Sequence, residues 1–104
     1  MFPSNRPTPV ILDVDPGIDD ALAILLALRS PELLVVAITV VAGNVDVEQG
    51  LENALKVVEL AGAQDIPVAK GAASPLEGKL TTARHVHGDN GLGDIHLPTP
   101  SLAP

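Results

Sequence analysis

Asp13-Val14-Asp15-Pro16-Gly17-Ile18-Asp19-Asp20 joins two aliphatic runs of different character. Before it, Val10-Ile11-Leu12 follows a Pro-rich leader and reads as a short buried strand ending at Asp13. After it, Ala21 to Leu28 is made almost wholly of Ala, Leu and Ile, residues that favour helix over strand. Pro16-Gly17 breaks the strand. Asp19 and Asp20 then place negative charge in the first helical turn, where the helix dipole favours it. Ser30-Pro31 ends the helix, because a residue before proline is pushed out of the helical region.

The same pattern repeats outward. Leu33 to Val41 is nearly continuous in apolar character and rich in β-branched residues, as in a second strand, and Gly43-Asn44 turns it. Asp46 is placed to cap the next helix, with Gln49 three residues on as in a capping box. Leu51, Ala54, Leu55 and Val58 keep the spacing of one buried helical face, and Glu52 and Lys56 pair on the outer one. Gly62 suits the position just past the helix end. Ile66-Pro67-Val68-Ala69 reads as a third, shorter strand, and no periodic element is expected beyond Gly71.

The result is an α/β fold: a parallel-sheet, Rossmann-like β-α-β-α-β unit with right-handed crossovers. The second strand carries apolar residues at both parities, which predicts burial on both faces. Two crossover helices running the same way along a sheet cover only one. The expectation is therefore that residues 1–104 form a single, incomplete α/β domain, or that another subunit covers the second face.

Composition excludes several classes of partner. A net charge of −7 with only six Lys and Arg argues against a nucleic-acid backbone. Phe2, the single aromatic residue, offers no stacking platform for single strands. The longest apolar run, Ala21 to Leu28, is far short of the roughly 20 residues that span a bilayer. The leader Met1 to Pro7 has no apolar region of the secretory kind. Zero cysteines exclude thiolate metal sites and fit a cytoplasmic protein.

In an α/β sheet, ligands bind beyond the carboxyl ends of the strands, so topology brings the Asp cluster, Asn44 and Gly71 to one rim. Asp13, Asp15, Asp19 and Asp20 put four carboxylates in that cluster. Like charges near 4 Å repel by about 1 kcal/mol in water and about 4 at an effective dielectric of 20. A helix N-terminus returns roughly 0.3–1 kcal/mol to one of them. The dipole accounts for Asp19 or Asp20 but not for all four. A hard divalent cation does, and an all-oxygen site points to Ca²⁺ or Mg²⁺. The alternative is that Asp19 and Asp20 only open a helix while Asp13 and Asp15 sit in a solvated turn.

The Asp13 to Ala21 stretch resembles the D-x-D-P-G-x-D-D signature of the inosine-uridine preferring nucleoside hydrolases. Thr39-Val40-Val41-Ala42-Gly43-Asn44 resembles that family's second-strand ending. His85-Val86-His87-Gly88-Asp89-Asn90-Gly91-Leu92-Gly93 resembles its H-x-H-G-x-x-G-x-G loop. The resemblance implies hydrolysis of the N-glycosidic bond of ribonucleosides such as inosine or uridine, by a calcium-bound water, in nucleoside salvage. It implies that Asp15 is a calcium ligand and the general base, and that Asp20 is a bidentate calcium ligand. Asp19 would bind a ribose hydroxyl, Asn44 would lie beside the ribose, and His87 would face the substrate from a mobile loop. Asp13 would be mainly structural, His85 and His96 surface residues, and Gly43, Gly88, Gly91 and Gly93 backbone positions. A homo-oligomer is also implied.

Family members run to roughly three times this length. The resemblance thus covers the amino-terminal part of a larger fold, without a further acidic ligand, a main-chain ligand and a leaving-group acid. The 104 residues alone would then be inactive, or a non-catalytic module that assembles with other chains. A magnesium-dependent haloacid-dehalogenase-type phosphatase is the other enzyme with a D-x-D after its first strand. That pattern expects Thr or Val where this chain has Gly17, and it leaves Asp19, Asp20 and the His-Gly loop without a role.

Overall fold

The β-branched run at the start of the chain forms β1 (Thr8–Val14), and the Ala/Leu run forms α1 (Ile18–Leu28). β2 (Leu33–Val40), α2 (Val47–Leu60) and β3 (Val68–Lys70) follow, and a single helical turn, α3 (Arg84–His87), lies in the stretch where no element is expected. The computed structural model describes residues 6–74, 76, 79–101 and 103–104. The leader Met1 to Asn5, with Phe2, lies outside them.

The three strands pair in parallel in the order β1-β2-β3, so β2 is central. Both helices pack on one face of this sheet. Ile24 and Ala27 of α1 meet Val35, Ile38 and Val40 of β2 and Leu51, Ala54 and Val58 of α2 in one core. No described helix is long and apolar enough to cross a membrane.

The other face of the sheet is exposed, with Ile11 at 64%, Leu34 at 53% and Val36 at 47%. Among the described residues the burial expected on both faces of β2 is met on one face only, and the ladder is irregular there. Val10 pairs with Val35 but Ile11 with Ala37, which leaves Val36 as an extra residue in the ladder. Such a bulge switches the faces beyond it. Val35 before it and Ile38 and Val40 after it, of opposite parity, all turn toward the helices. Beyond Asp20, α1 is apolar all round and likewise exposes Leu22 and Leu26.

Local signals account well for α2. The Asp46 carboxylate accepts from the Gln49 amide at 2.8 Å. The reciprocal half of a capping box is absent, since the Gln49 side chain donates to Glu52 and Asn53. The helix closes with Gly62 at φ 74°, its amide bonded to Glu59 O and that of Ala63 to Val58 O. This is a Schellman ending. Lys56 and Glu52 pair at 3.7 Å.

The one-sided core predicts unequal costs. Ile24→Ala, at a wholly buried position, is expected to lower unfolding free energy by about 2–5 kcal/mol. Val36→Thr on the exposed face should change it by no more than about 0.5 kcal/mol. Denaturant titration of both variants reads the difference, and comparable losses would contradict the placement of the core.

Candidate functional site

Three loops meet at the carboxyl ends of β1 and β2. The first follows β1. There the Asp15 main-chain amide donates to Asp20 Oδ2 at 3.0 Å, which folds the turn back on the first turn of α1. The second follows β2, and its Asn44 grips Asp15 twice. The Asn44 amide donates to Asp15 Oδ2 at 3.0 Å, and Asn44 Nδ2 donates to the Asp15 carbonyl at 3.1 Å. Gly43 makes this approach possible, because a Cβ there would overlap the Asp15 carboxylate.

The third loop is the segment around α3. It docks on the second through the Ala83 amide, which donates to Asn44 O at 2.8 Å, and through Arg84, which pairs with Asp46 at 3.3 Å. It docks on the first through His87, whose Nδ1 accepts from the Ile18 amide at 2.9 Å. Gly17 precedes α1 as its N-cap and brings no side-chain cap, so an imidazole 69 residues beyond Ile18 satisfies one of the helix's open amides. The ring lies so close over Gly17 that a Cβ there would stand 2.6 Å from Nδ1. Because Nδ1 accepts, the neutral ring carries its proton on Nε2.

The five residues to which the resemblance gives a metal or substrate role, Asp15, Asp19, Asp20, Asn44 and His87, thus fall in one place. Asp15 and Asp20 are joined directly, Asn44 holds Asp15, and His87 sits on the helix turn that carries Asp19 and Asp20. Asp13 stands apart. It accepts from Thr39 Oγ1 at 2.8 Å across the β1–β2 ladder, on an exposed position. His85 and His96 are exposed.

The electrostatics are those of crowded negative charge. The carboxyl of Asp20 is raised above its ordinary value, first by burial and then by the Asp15 side chain and the charges of Asp15 and Asp19; the bond from the Asp15 amide opposes the shift. Among the described residues the ion pairs are Lys56–Glu52, Lys70–Glu48 and Arg84–Asp46, and none touches this cluster. No three His, Asp or Glu side chains among them gather closely enough to hold a metal unaided.

One residue of the assembly escaped sequence reasoning. Asn53, wholly buried in α2, bonds to Pro16 of the first loop and Asn90 of the third. Its only signal was a polar side chain beside the buried positions Ala54 and Leu55, and spacing alone does not separate such a residue from one at the helix edge.

The sequence model described as inosine-uridine preferring nucleoside hydrolase matches residues 10–104. The chain is 50% identical over 93 residues to uridine nucleosidase 1 of Arabidopsis thaliana, covering 88% of this chain and 28% of that protein. It is 53% identical over 96 residues to the pyrimidine-specific ribonucleoside hydrolase RihA of Escherichia coli (O1:K1 / APEC), covering 92% and 31%. The solved structure of the plant nucleoside hydrolase PpNRh1 superposes with a TM-score of 0.88 at 46% identity, over 95% of this chain and 32% of that one. The chain therefore spans about a third or less of the length of these relatives.

Proposed function

The chain belongs to the inosine-uridine preferring nucleoside hydrolase family, and from that premise we propose that it contributes the metal-binding and base-bearing part of a site that hydrolyses the N-glycosidic bond of ribonucleosides. The observation that carries this reading is the bonded Asp15–Asp20 pair at the carboxyl ends of the strands, gripped by Asn44. Family membership sets aside the phosphatase alternative.

The donor set suits calcium. Asp15 and Asp20 are carboxylates close enough for the Asp15 side chain to raise the Asp20 carboxyl, with no cationic side chain paired to them among the described residues. Hard divalent cations take oxygen ligands of this kind. Calcium held by Asp15 and Asp20 would supply Lewis-acid charge that lowers the pKa of an attacking water. Asp15, its carboxylate aimed by the Asn44 amide, would accept the proton of the attacking water. Asp19, one position from Asp20 and exposed, accepts from a ribose hydroxyl. Negative charge from the same carboxylates stabilises the oxocarbenium-like ribosyl group as the base departs. His87, held through Nδ1, keeps Nε2–H to donate toward the substrate.

The test is a graft. These residues replace their 53%-identical counterpart in the E. coli RihA relative, and ribose release from uridine is followed with a reducing-sugar assay. Calcium-dependent release that a chelator abolishes is the expected result; a folded but inactive chimera would count against the reading. The 104-residue chain alone should release no ribose, because Asp15 and Asp20 offer about three oxygens where calcium takes six to eight.

A further inference from the structure

We propose that Asn53 is a positioning residue of this site, whose carboxamide fastens the Asp15–Asp20 turn to the loop bearing His87 and thereby keeps His87 seated on the Ile18 amide. The proposal rests on the assignment of Asp15 and His87 to the site.

Among the described residues Asn53 is the buried polar side chain of the core, fully enclosed on α2. All of its polar atoms are engaged. Nδ2 donates to Pro16 O at 3.0 Å and to Asn90 O at 2.8 Å, and Oδ1 accepts from Gln49 Nε2 at 3.0 Å. The orientation is forced, since a flipped amide would set Oδ1 against two carbonyl oxygens. The contacts lie 37 residues away on either side, at Pro16 and Asn90. One amide group therefore joins two loops that share no strand.

The loop it holds is a preformed unit. Asn90 Oδ1 accepts from the Leu92 and Asp94 amides at 2.8 and 2.9 Å, the Asp89 amide donates to Asp94 Oδ1, and the Gly93 amide donates to His87 O at 2.6 Å. A unit bonded within itself moves as a body, so what fixes Asn90 also fixes His87. Gly91 lies against Asn53 and Pro16; a Cβ there would stand 2.9 Å from Asn53 Nδ2. Leu in place of Asn53 would fill a similar shape but leave the buried Pro16 carbonyl and the part-buried Asn90 carbonyl without this donor. Buried carbonyls without partners are costly, and the loop rather than the core is free to shift toward water.

The test compares Asn53→Leu with Ile38→Val, a core change on β2 away from the loop. Two signatures are read by NMR on the 104-residue chain: the imidazole nitrogen shifts of His87, which report an accepting Nδ1, and the exchange rate of the Ile18 amide. Asn53→Leu is expected to abolish the accepting-Nδ1 signature and to speed Ile18 exchange about tenfold, the factor that the loss of about one net hydrogen bond represents. Ile38→Val should leave both as in the wild type. Should Asn53→Leu fail to fold, Asn53→Ala decides. It removes both donations from Nδ2 without placing a larger apolar group against the loops, and should move both signatures in the same direction. Unchanged signatures in the folded Asn53→Leu variant, or in Asn53→Ala where that variant decides, would overturn the proposal, as would equal changes in Ile38→Val. Ribose release plays no part in the readout, so failure of the hydrolysis reading and failure of this proposal are separate results.

Discussion

Asp15→Asn in the active chimera is expected to lower kcat for ribose release at least about a hundredfold, the low end for loss of a general base. The substitution preserves shape. An Asn carbonyl oxygen can still accept from the Asn44 amide, and the room that Gly43 leaves is unchanged. What is lost is the charge and the basic lone pair. A fall in kcat that persists at saturating calcium, without a matching fall in thermal stability, would place the effect on the chemical step. Asp13→Ala provides the contrast. Its bond to Thr39 ties two strands, so its loss should appear in stability, at about 0.5–1.5 kcal/mol, more than in rate. Near wild-type turnover by Asp15→Asn would remove Asp15 from the role of base.

Calcium binding is expected to collapse when the carboxylate of either Asp15 or Asp20 is removed. A unit charge near 4 Å is worth about 4 kcal/mol at an effective dielectric of 20. Asp15→Ala and Asp20→Ala should therefore each weaken calcium binding by at least about a hundredfold in calorimetric titration of the chimera, after relaxation and water take their share. Undiminished binding in the double variant would end the metal assignment. Asp20→Asn separates metal binding from folding. Burial and its acidic neighbours raise the Asp20 carboxyl, so the folded state holds that proton more tightly than the unfolded chain does. The associated stability is present at low pH and is lost as pH rises through the raised value. At neutral pH without metal, the charged carboxylate thus works against the fold. Asn removes the charge and can still accept from the Asp15 amide. The metal-free Asp20→Asn protein should be at least as stable as the wild type while losing calcium, and a marked drop in its melting temperature would contradict this account.

Both predictions concern residues that the sequence places at the rim, while the contacts that make them a site come from elsewhere. By itself the sequence determined the β-α-β-α-β order, the Asp46 cap, the Gly62 ending, the Glu52–Lys56 pair and the meeting of the Asp loop with Asn44. Except for that meeting, these depend on groups within a few residues of one another. The meeting itself follows because parallel strands send every carboxyl end to the same edge. Only the tertiary structure decided the rest. The bulge at Val36 turned two parities of β2 toward one layer of helices. His87 became the cap of a helix that lacks its own, Gly43 yielded to the Asp15 carboxylate, and Asn53 tied two loops together. Each joins groups between 28 and 69 residues apart, or turns on a one-residue slip in a ladder. Spacing along a chain encodes what neighbours on one element can reach; it carries no record of which distant backbone group a folded loop will present to a buried amide.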